Sequence, residues 1–277
     1  MLEKFHAEQR ELILSQGRLK LGPDESTVVR RRPLAWARKV VVIGVDGPSG
    51  SGKTSLARWL HSVLGSPYDA ISTDSFVRLS DDIPTCPHVA SEKCKQWNNA
   101  KCFELPAAYD LNLLVDELLA MKSLIACARV LPTIWLKLPG SYRKMKPRRE
   151  LPAHAPCYVV VEGFVLFIEP QVTQLCSHLL RLHVPPEESC RRRFHREGKM
   201  AQQWQAFQEH YFHHVHATRQ SLQALADRNV ADRVVWHVDA TADCGLVRTS
   251  VLRLLYDAEL DNGNFLPYSP ALAQCRS

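Results

Sequence analysis

Residues 47–54 read GPSGSGKT, which fits the phosphate-binding pattern G-x-x-x-x-G-K-[ST]. The apolar run KVVVIGV (39–45) precedes it, and the helix-like run SLARWLHSVL (55–64) follows. A strand, a glycine-rich turn and a helix start are therefore expected in that order. Gly47, Gly50 and Gly52 let backbone N–H groups come close to an anion, and the helix directs its positive end at the same place. The expected contact set for a nucleoside triphosphate is Gly47, Ser49, Gly50, Ser51, Gly52, Lys53, Thr54 and Ser55. Lys53 would reach the terminal phosphates, and the Thr54 hydroxyl would ligate Mg²⁺.

Outward from this stretch, apolar and amphipathic segments alternate. A second short strand is expected over 68–73, ending at Asp74, followed by a long polar loop to Lys101. Residues 111–122 fit a helix, with Leu111, Leu114, Val115 and Leu118 on one face. CYVVV (157–161) is a continuous apolar strand of the kind buried on both sides of a parallel sheet, and it ends at Glu162. Further strands are expected over 179–184 and 234–238, and helices over 185–197, 204–226 and 246–260. Residues 130–149 give no clear period. This alternation predicts an α/β fold with a doubly wound parallel sheet, whose ligands lie beyond the carboxyl ends of the strands. Gly47, Asp74 and Glu162 all fall at such ends.

Phosphoryl transfer requires neutralised phosphates, a bridging metal and a base for the acceptor's proton. Asp74 is the candidate base, the alternative being a turn cap. Glu162, placed like a Walker-B acid, is the candidate metal ligand beside Thr54, the alternative being an ordinary strand-end carboxylate. PPEESCRRRFHRE (185–197) puts Arg191, Arg192, Arg193 and Arg196 after the start of a helix, and guanidinium forks suit phosphate. They form either a mobile lid or a solvated face paired with Glu187 and Glu188.

The chain has 277 residues, 45% of them hydrophobic, enough for one substantial core. No apolar run is long enough to cross a bilayer, and the first twenty residues lack a secretory pattern. Glu3, Glu8 and Glu11 also argue against an organelle transit peptide, so a cytoplasmic protein is expected. The nine cysteines are read as reduced thiols. Cys86, His88, Cys94 and Cys102 lack the usual zinc spacing, and His210, His213, His214 and His216 contain no H-E-x-x-H. The net charge of +6 comes from clusters at Arg30–Arg32, Arg143–Arg149 and Arg191–Arg196. No nucleic-acid module accompanies them, so the expected partner is a small molecule and not nucleic acid or a membrane. Oligomeric state is not readable. Residues 1–38 are expected to form an N-terminal helix and linker, 39–260 the catalytic domain with a lid over about 187–210, and 261–277 a tail.

In order, GVDGPSGSGKTSLA, STDSF, FELPAAYD, VVVEGFVLF and VPPEESCRRRFHRE resemble the uridine kinase and phosphoribulokinase superfamily of P-loop kinases, and within it the nicotinamide riboside kinases. The resemblance spans roughly residues 40–260. It implies a five-stranded parallel sheet, an arginine-bearing lid helix and ATP·Mg²⁺-dependent phosphorylation of a ribose 5′-hydroxyl. It further implies that Asp74 is the base and Phe76 its aromatic neighbour. Glu104 falls where the family commonly has an Asp that grips ribose hydroxyls, and Tyr109 joins the acceptor set. Arg192, Arg193 and Arg196 match the lid, with Lys53, Arg192 and Arg196 catalytic beside Asp74 and Arg193 on the nucleotide. The chain departs from the family in the longer Glu104, in WLKLPGSYRKMK, which does not show the clear Tyr and His that uridine kinases use on the base, and in a shorter segment after Arg196. Two other readings stay open. One is a nucleotide-dependent switch or scaffold that uses the basic clusters, although no N-K-x-D is present. The other is a kinase of this fold with a different acceptor, such as pantothenate or a sugar phosphate.

Overall fold

The computed structural model describes residues 37–85, 101–152, 155–197 and 201–261. The expected N-terminal helix, most of the linker, Cys86, His88, Cys94 and the C-terminal tail lie outside these residues. A five-stranded parallel sheet has the order β2-β5-β1-β6-β7. Its strands are β1 (Val40–Asp46), β2 (Ile71–Ser72), β5 (Cys157–Gly163), β6 (His178–His183) and β7 (Val235–Asp239). Every residue of β1 and β5 is buried. Both strands therefore read as unbroken apolar runs, because helices cover the sheet on both faces.

The two-residue period of β1 sends alternate side chains into separate cores. Val41, Ile43 and Val45 pack with Leu56 and Leu60 of α1 (Lys53–Val63) and with Val251 and Leu255 of the closing helix. Val40 and Val42 face the other way, into a core with Leu114, Leu118 and Met121 of α2 (Leu111–Cys127). The Asp110 carboxylate caps α2 by accepting from Leu113 N–H at 3.1 Å. The helix runs past the expected residue 122 because Met121 and Ile125 continue its buried stripe.

β2 is shorter than expected. The chain leaves the sheet after Ser72, whose hydroxyl accepts from Asp74 N–H at 3.3 Å and starts a 3₁₀ turn over Thr73–Phe76. That turn lies tight against the end of β5, where a Cβ at Gly163 would collide with the Thr73 side chain. Residues 130–149 resolve into an antiparallel hairpin, β3 (Ile134–Leu138) and β4 (Ser141–Met145), turned at Pro139-Gly140 with Gly140 at φ 69°.

After α3 (Pro170–Leu175) and β6, the basic helix α4 (Pro186–Arg196) is followed by α5 (Trp204–His210), a π-helical turn (Tyr211–His216) and α6 (Ala217–Asn229). The long helix expected over 204–226 thus carries one wide turn and extends three residues further. The π turn directs Tyr211, His214 and Val215 inward together. Cys190 and Phe194 of α4 pack on Phe207, Tyr211 and Val215 in a small core of their own. β7 and α7 (Cys244–Asp261) complete the fold, and none of the described helices is long and apolar enough to cross a membrane.

Candidate functional site

The loop after β1 has the shape of a phosphate cradle. Gly52 caps α1 in the left-handed region at φ 90°, and a Cβ there would meet nothing within 4 Å. The first amides of α1 therefore face open space with no side-chain cap, which is the arrangement an anion completes. The Ser51 hydroxyl is buried in the same loop without a hydrogen-bond partner. Gly47 is buried at the loop's start, Gly50 is half-buried, and Ser55 is exposed in the first turn of α1.

Lys53 is buried at 8% exposure, and its ammonium donates to the Pro48 carbonyl at 2.8 Å. Burial lowers its pKa to about 8, against the pull of the Glu162, Asp46 and Asp74 carboxylates. Lys53 thus lies in the electrostatic reach of acids from the ends of three strands. Thr54 Oγ1 donates to Glu162 Oε1 at 3.1 Å, so the two expected metal ligands are already in contact. Glu162 is 3% exposed while Asp74 is exposed. A hydroxyl and a carboxylate beside a phosphate cradle form the hard-oxygen donor set that suits Mg²⁺.

A second group of side chains gathers around Glu104. Glu104, 5% exposed, takes Arg193 Nη1 at 2.8 Å, and Arg193 Nε also donates to Glu197 at 2.8 Å. Tyr109 is nearly buried, and burial, with the Asp74 and Glu104 charges, pushes its phenol well above the ordinary tyrosine range. His210 is held down to about 4 by burial and then by His214 and Arg193. Phe76 is 0% exposed in the core, so it supports the Asp74 turn from beneath and does not line an open surface.

The helix α4 packs onto the cradle. Ser189 Oγ donates to the Ser49 carbonyl, and Arg196 Nη2 donates to Ser49 Oγ at 3.3 Å. Arg191 and Arg192 both engage Glu188, whose carboxyl they hold down to about 2, and Arg192 also reaches the Ala240 carbonyl at 3.1 Å. The four arginines therefore separate. Arg191 is engaged on its own exposed helix face, Arg192 ties that face to the β7 end, Arg193 faces Glu104, and Arg196 lies at the cradle. Residues 198–200 of the expected lid lie outside the described residues.

Sequence reading missed the support beneath the cradle. Asp46, the last residue of β1 and 0% exposed, takes Arg219 Nη2 of α6 at 2.5 Å and has Arg181 Nε of β6 at 3.5 Å. Arg219 also donates to the Phe164 carbonyl, and Arg181 pairs with Asp227. The aspartate in GVDGPSG was a readable signal for a buried charge at a strand end. Nothing in HATRQS singles out Arg219. Cys102 Sγ and His214 Nε2 are 3.4 Å apart in the interior, but the described residues contain no cluster of three or more metal-ligating side chains.

Residues 42–220 match the family model described as "Phosphoribulokinase / Uridine kinase family". Over 86 residues, 31% of this chain, the sequence is 41% identical to a uridine kinase of Schizosaccharomyces pombe (strain 972); the match spans 17% of that protein. Among solved structures, the chain is similar to the D-glycerate 3-kinase of Cryptococcus neoformans var. grubii serotype A, with TM-score 0.43 and 14% identity over 74% of this chain and 88% of that one. It is also similar to a gluconokinase from Sinorhizobium meliloti 1021, with TM-score 0.41 and 15% identity over 81% of this chain and 98% of that one.

Proposed function

This chain belongs to the phosphoribulokinase / uridine kinase family, and we propose that it is an ATP-dependent kinase that transfers the γ-phosphate to the 5′-hydroxyl of a nucleoside or riboside. The observation that carries the reading is the shared field at Lys53. Its ammonium lies in the field of the Glu162, Asp46 and Asp74 carboxylates, and the neighbouring Thr54 donates to Glu162 at 3.1 Å, which supports a shared site for phosphate, metal and base. Thr54 and Glu162 would hold Mg²⁺, which would supply positive charge against the phosphates. Lys53 holds the phosphate oxygens. Asp74, which is exposed, accepts the proton of the attacking hydroxyl. Arg192, Arg193 and Arg196 offset the charge on the transferring group and exclude water as α4 closes on the cradle.

Glu104 is the candidate grip for the ribose hydroxyls, with Tyr109 beside it. In the structure Glu104 is engaged by Arg193. Acceptor hydroxyls would therefore enter a preformed carboxylate–guanidinium pair, which accepts and donates hydrogen bonds at a single place. β3 and β4 carry Tyr142 but no His and do not show the clear Tyr and His that uridine kinases use on the base, so a nicotinamide riboside-like acceptor is proposed beside uridine or cytidine. Cytoplasmic location is proposed with this activity.

The deciding experiment incubates the protein with γ-labelled ATP, Mg²⁺ and, in turn, nicotinamide riboside, uridine, cytidine, pantothenate and ribulose 5-phosphate. Label is expected in a riboside 5′-monophosphate. Transfer to pantothenate or the sugar phosphate alone overturns the riboside assignment, and no transfer to any acceptor overturns the kinase reading.

Lys53 supplies a separate check. A phosphate beside the ammonium favours its charged form, so nucleotide binding raises a pKa that starts near 8. At pH 8, ATP binding is expected to take up about half a proton, because about half of the lysine is neutral beforehand. Affinity then falls as pH rises above 8. Calorimetry in buffers of different ionisation enthalpy measures the uptake, and a Lys53→Met variant is expected to lose it.

A further inference from the structure

A cavity of about 660 Å³ opens beside the cradle, with Thr54 and Glu162 among the residues that line it. Thr54, Arg58 and His61 stand at helical spacing on one face of α1, so it follows that helix for two turns. Its opposite wall comes from Asp69, just before β2, and from the chain around and beyond β4. There Arg148 N–H donates to the Pro67 carbonyl at 2.8 Å and anchors the basic segment in place.

Charge in this cavity is unbalanced. Arg58, Arg143, Arg148 and Arg149 line it against the carboxylates of Asp69 and Glu162, and Glu162 is engaged by Thr54. Asp69 takes Arg148 at 2.7 Å and has Arg143 at 3.7 Å. Among the described residues, Arg58 and Arg149 have no acidic partner. His61 Nε2 is a buried atom of the same wall, 3.7 Å from Asp69 Oδ1 and without a hydrogen bond. Two guanidinium groups without an acidic partner and an unsatisfied imidazole nitrogen line one cavity and make an incomplete constellation. Phosphate oxygens complete it, since guanidinium forks bind them bidentately. Asp74, Glu104, Tyr109 and Arg193 do not line this cavity, so it is distinct from the candidate acceptor site.

We propose that this cavity is a second anion site, which takes a phosphate-bearing ligand other than the nucleotide in the cradle. Because Thr54 and Glu162 belong to its lining, occupancy is felt at the candidate metal pair. The phosphate belongs to an effector that is neither the nucleotide nor the acceptor, a phosphomonoester or a polyphosphate.

The test uses the full chain with excess Mg²⁺ and a saturating non-hydrolysable ATP analogue, so that the cradle is filled. Inorganic pyrophosphate and ribose 5-phosphate are titrated by calorimetry. One further binding event is expected. It should weaken at least ~10-fold in an Arg58→Ala/Arg149→Ala variant, while affinity for the analogue stays unchanged. Both arginines are exposed, so the variant is expected to keep its fold, which circular dichroism verifies. Tighter binding of ribose 5-phosphate assigns the site to a phosphomonoester, and tighter binding of pyrophosphate assigns it to a polyphosphate. Absence of any event with the cradle filled overturns the proposal, as does equal binding by wild type and variant. So does binding of a single-stranded oligonucleotide but neither small anion, which would make the cluster a nucleic-acid surface. Failure of the analogue itself to bind sinks the proposed function instead, and the same titrations into the protein alone then decide the anion site through the double variant.

Discussion

Asp74→Asn is expected to slow phosphoryl transfer by about 10²–10⁴ while leaving nucleotide affinity within about twofold. The asymmetry follows from position. Asp74 is exposed at the start of a 3₁₀ turn, and its backbone N–H, which the substitution keeps, makes the structural bond to Ser72 Oγ. Asparagine preserves shape and removes only the ability to take a proton. Single-turnover transfer from labelled ATP, with nucleotide binding measured separately, checks both halves. Unchanged turnover would return Asp74 to the role of a turn residue and would leave the proposed mechanism without a base.

Arg219→Met is expected to cost about 3–5 kcal/mol of stability, because it leaves the Asp46 carboxylate buried with a poorer partner. Asp46 is 0% exposed, and the remaining cation, Arg181 Nε, stands at 3.5 Å and is shared with Asp227. Adding Asp46→Asn to that variant should recover a substantial part of the loss, since the uncompensated charge is then gone. Urea denaturation of the two single variants and the double variant measures the coupling. Strict additivity would mean that Asp46 and Arg219 do not act as a pair. The same arginine donates to the Phe164 carbonyl just after β5. Its loss therefore reaches the ends of both β1 and β5, where the cradle and Glu162 are held.

Legibility differed by element for physical reasons. β1, β5 and α1 were readable because full burial on both faces of a parallel sheet demands unbroken apolar runs, and because few sequences can form the turn between them. The buried stripe of α2 was readable from its 3.6-residue period, although its end was not, since Met121 and Ile125 extend it only by packing. β2 was overestimated: Tyr68 looks like a strand residue, yet it is buried as a plug whose hydroxyl donates to the Pro132 carbonyl at 2.7 Å. The hairpin of β3 and β4 gave little periodic signal because β4 is largely exposed, and only Pro139-Gly140 marked its turn. The π turn at Tyr211–His216 had no local signature at all, being fixed by the packing of Tyr211 and Val215 on Cys190, Phe194 and Phe207.

At the candidate site, local chemistry carried its own label and long-range pairing did not. Gly47 to Thr54 announced a phosphate cradle because backbone geometry there depends on residues adjacent in the chain, and the acids at 74 and 162 were marked by their position after apolar runs. Sequence alone could list the arginines of α4 but could not assign them. Whether each turns to Glu188, Glu104 or Ser49 depends on which surfaces α4 meets. The contact of Asp46 with Arg219 spans 173 residues, and a charge pair so distant leaves no periodic trace. Burial, and hence the lowered pKa of Lys53, likewise comes into being only when separate strands close around it. The amino-acid order determined the sheet, the cradle and the identity of the candidate groups, since these follow from neighbours along the chain. The tertiary structure alone decided which charges are paired and which are left open, because Coulomb energy and desolvation depend on distance through space.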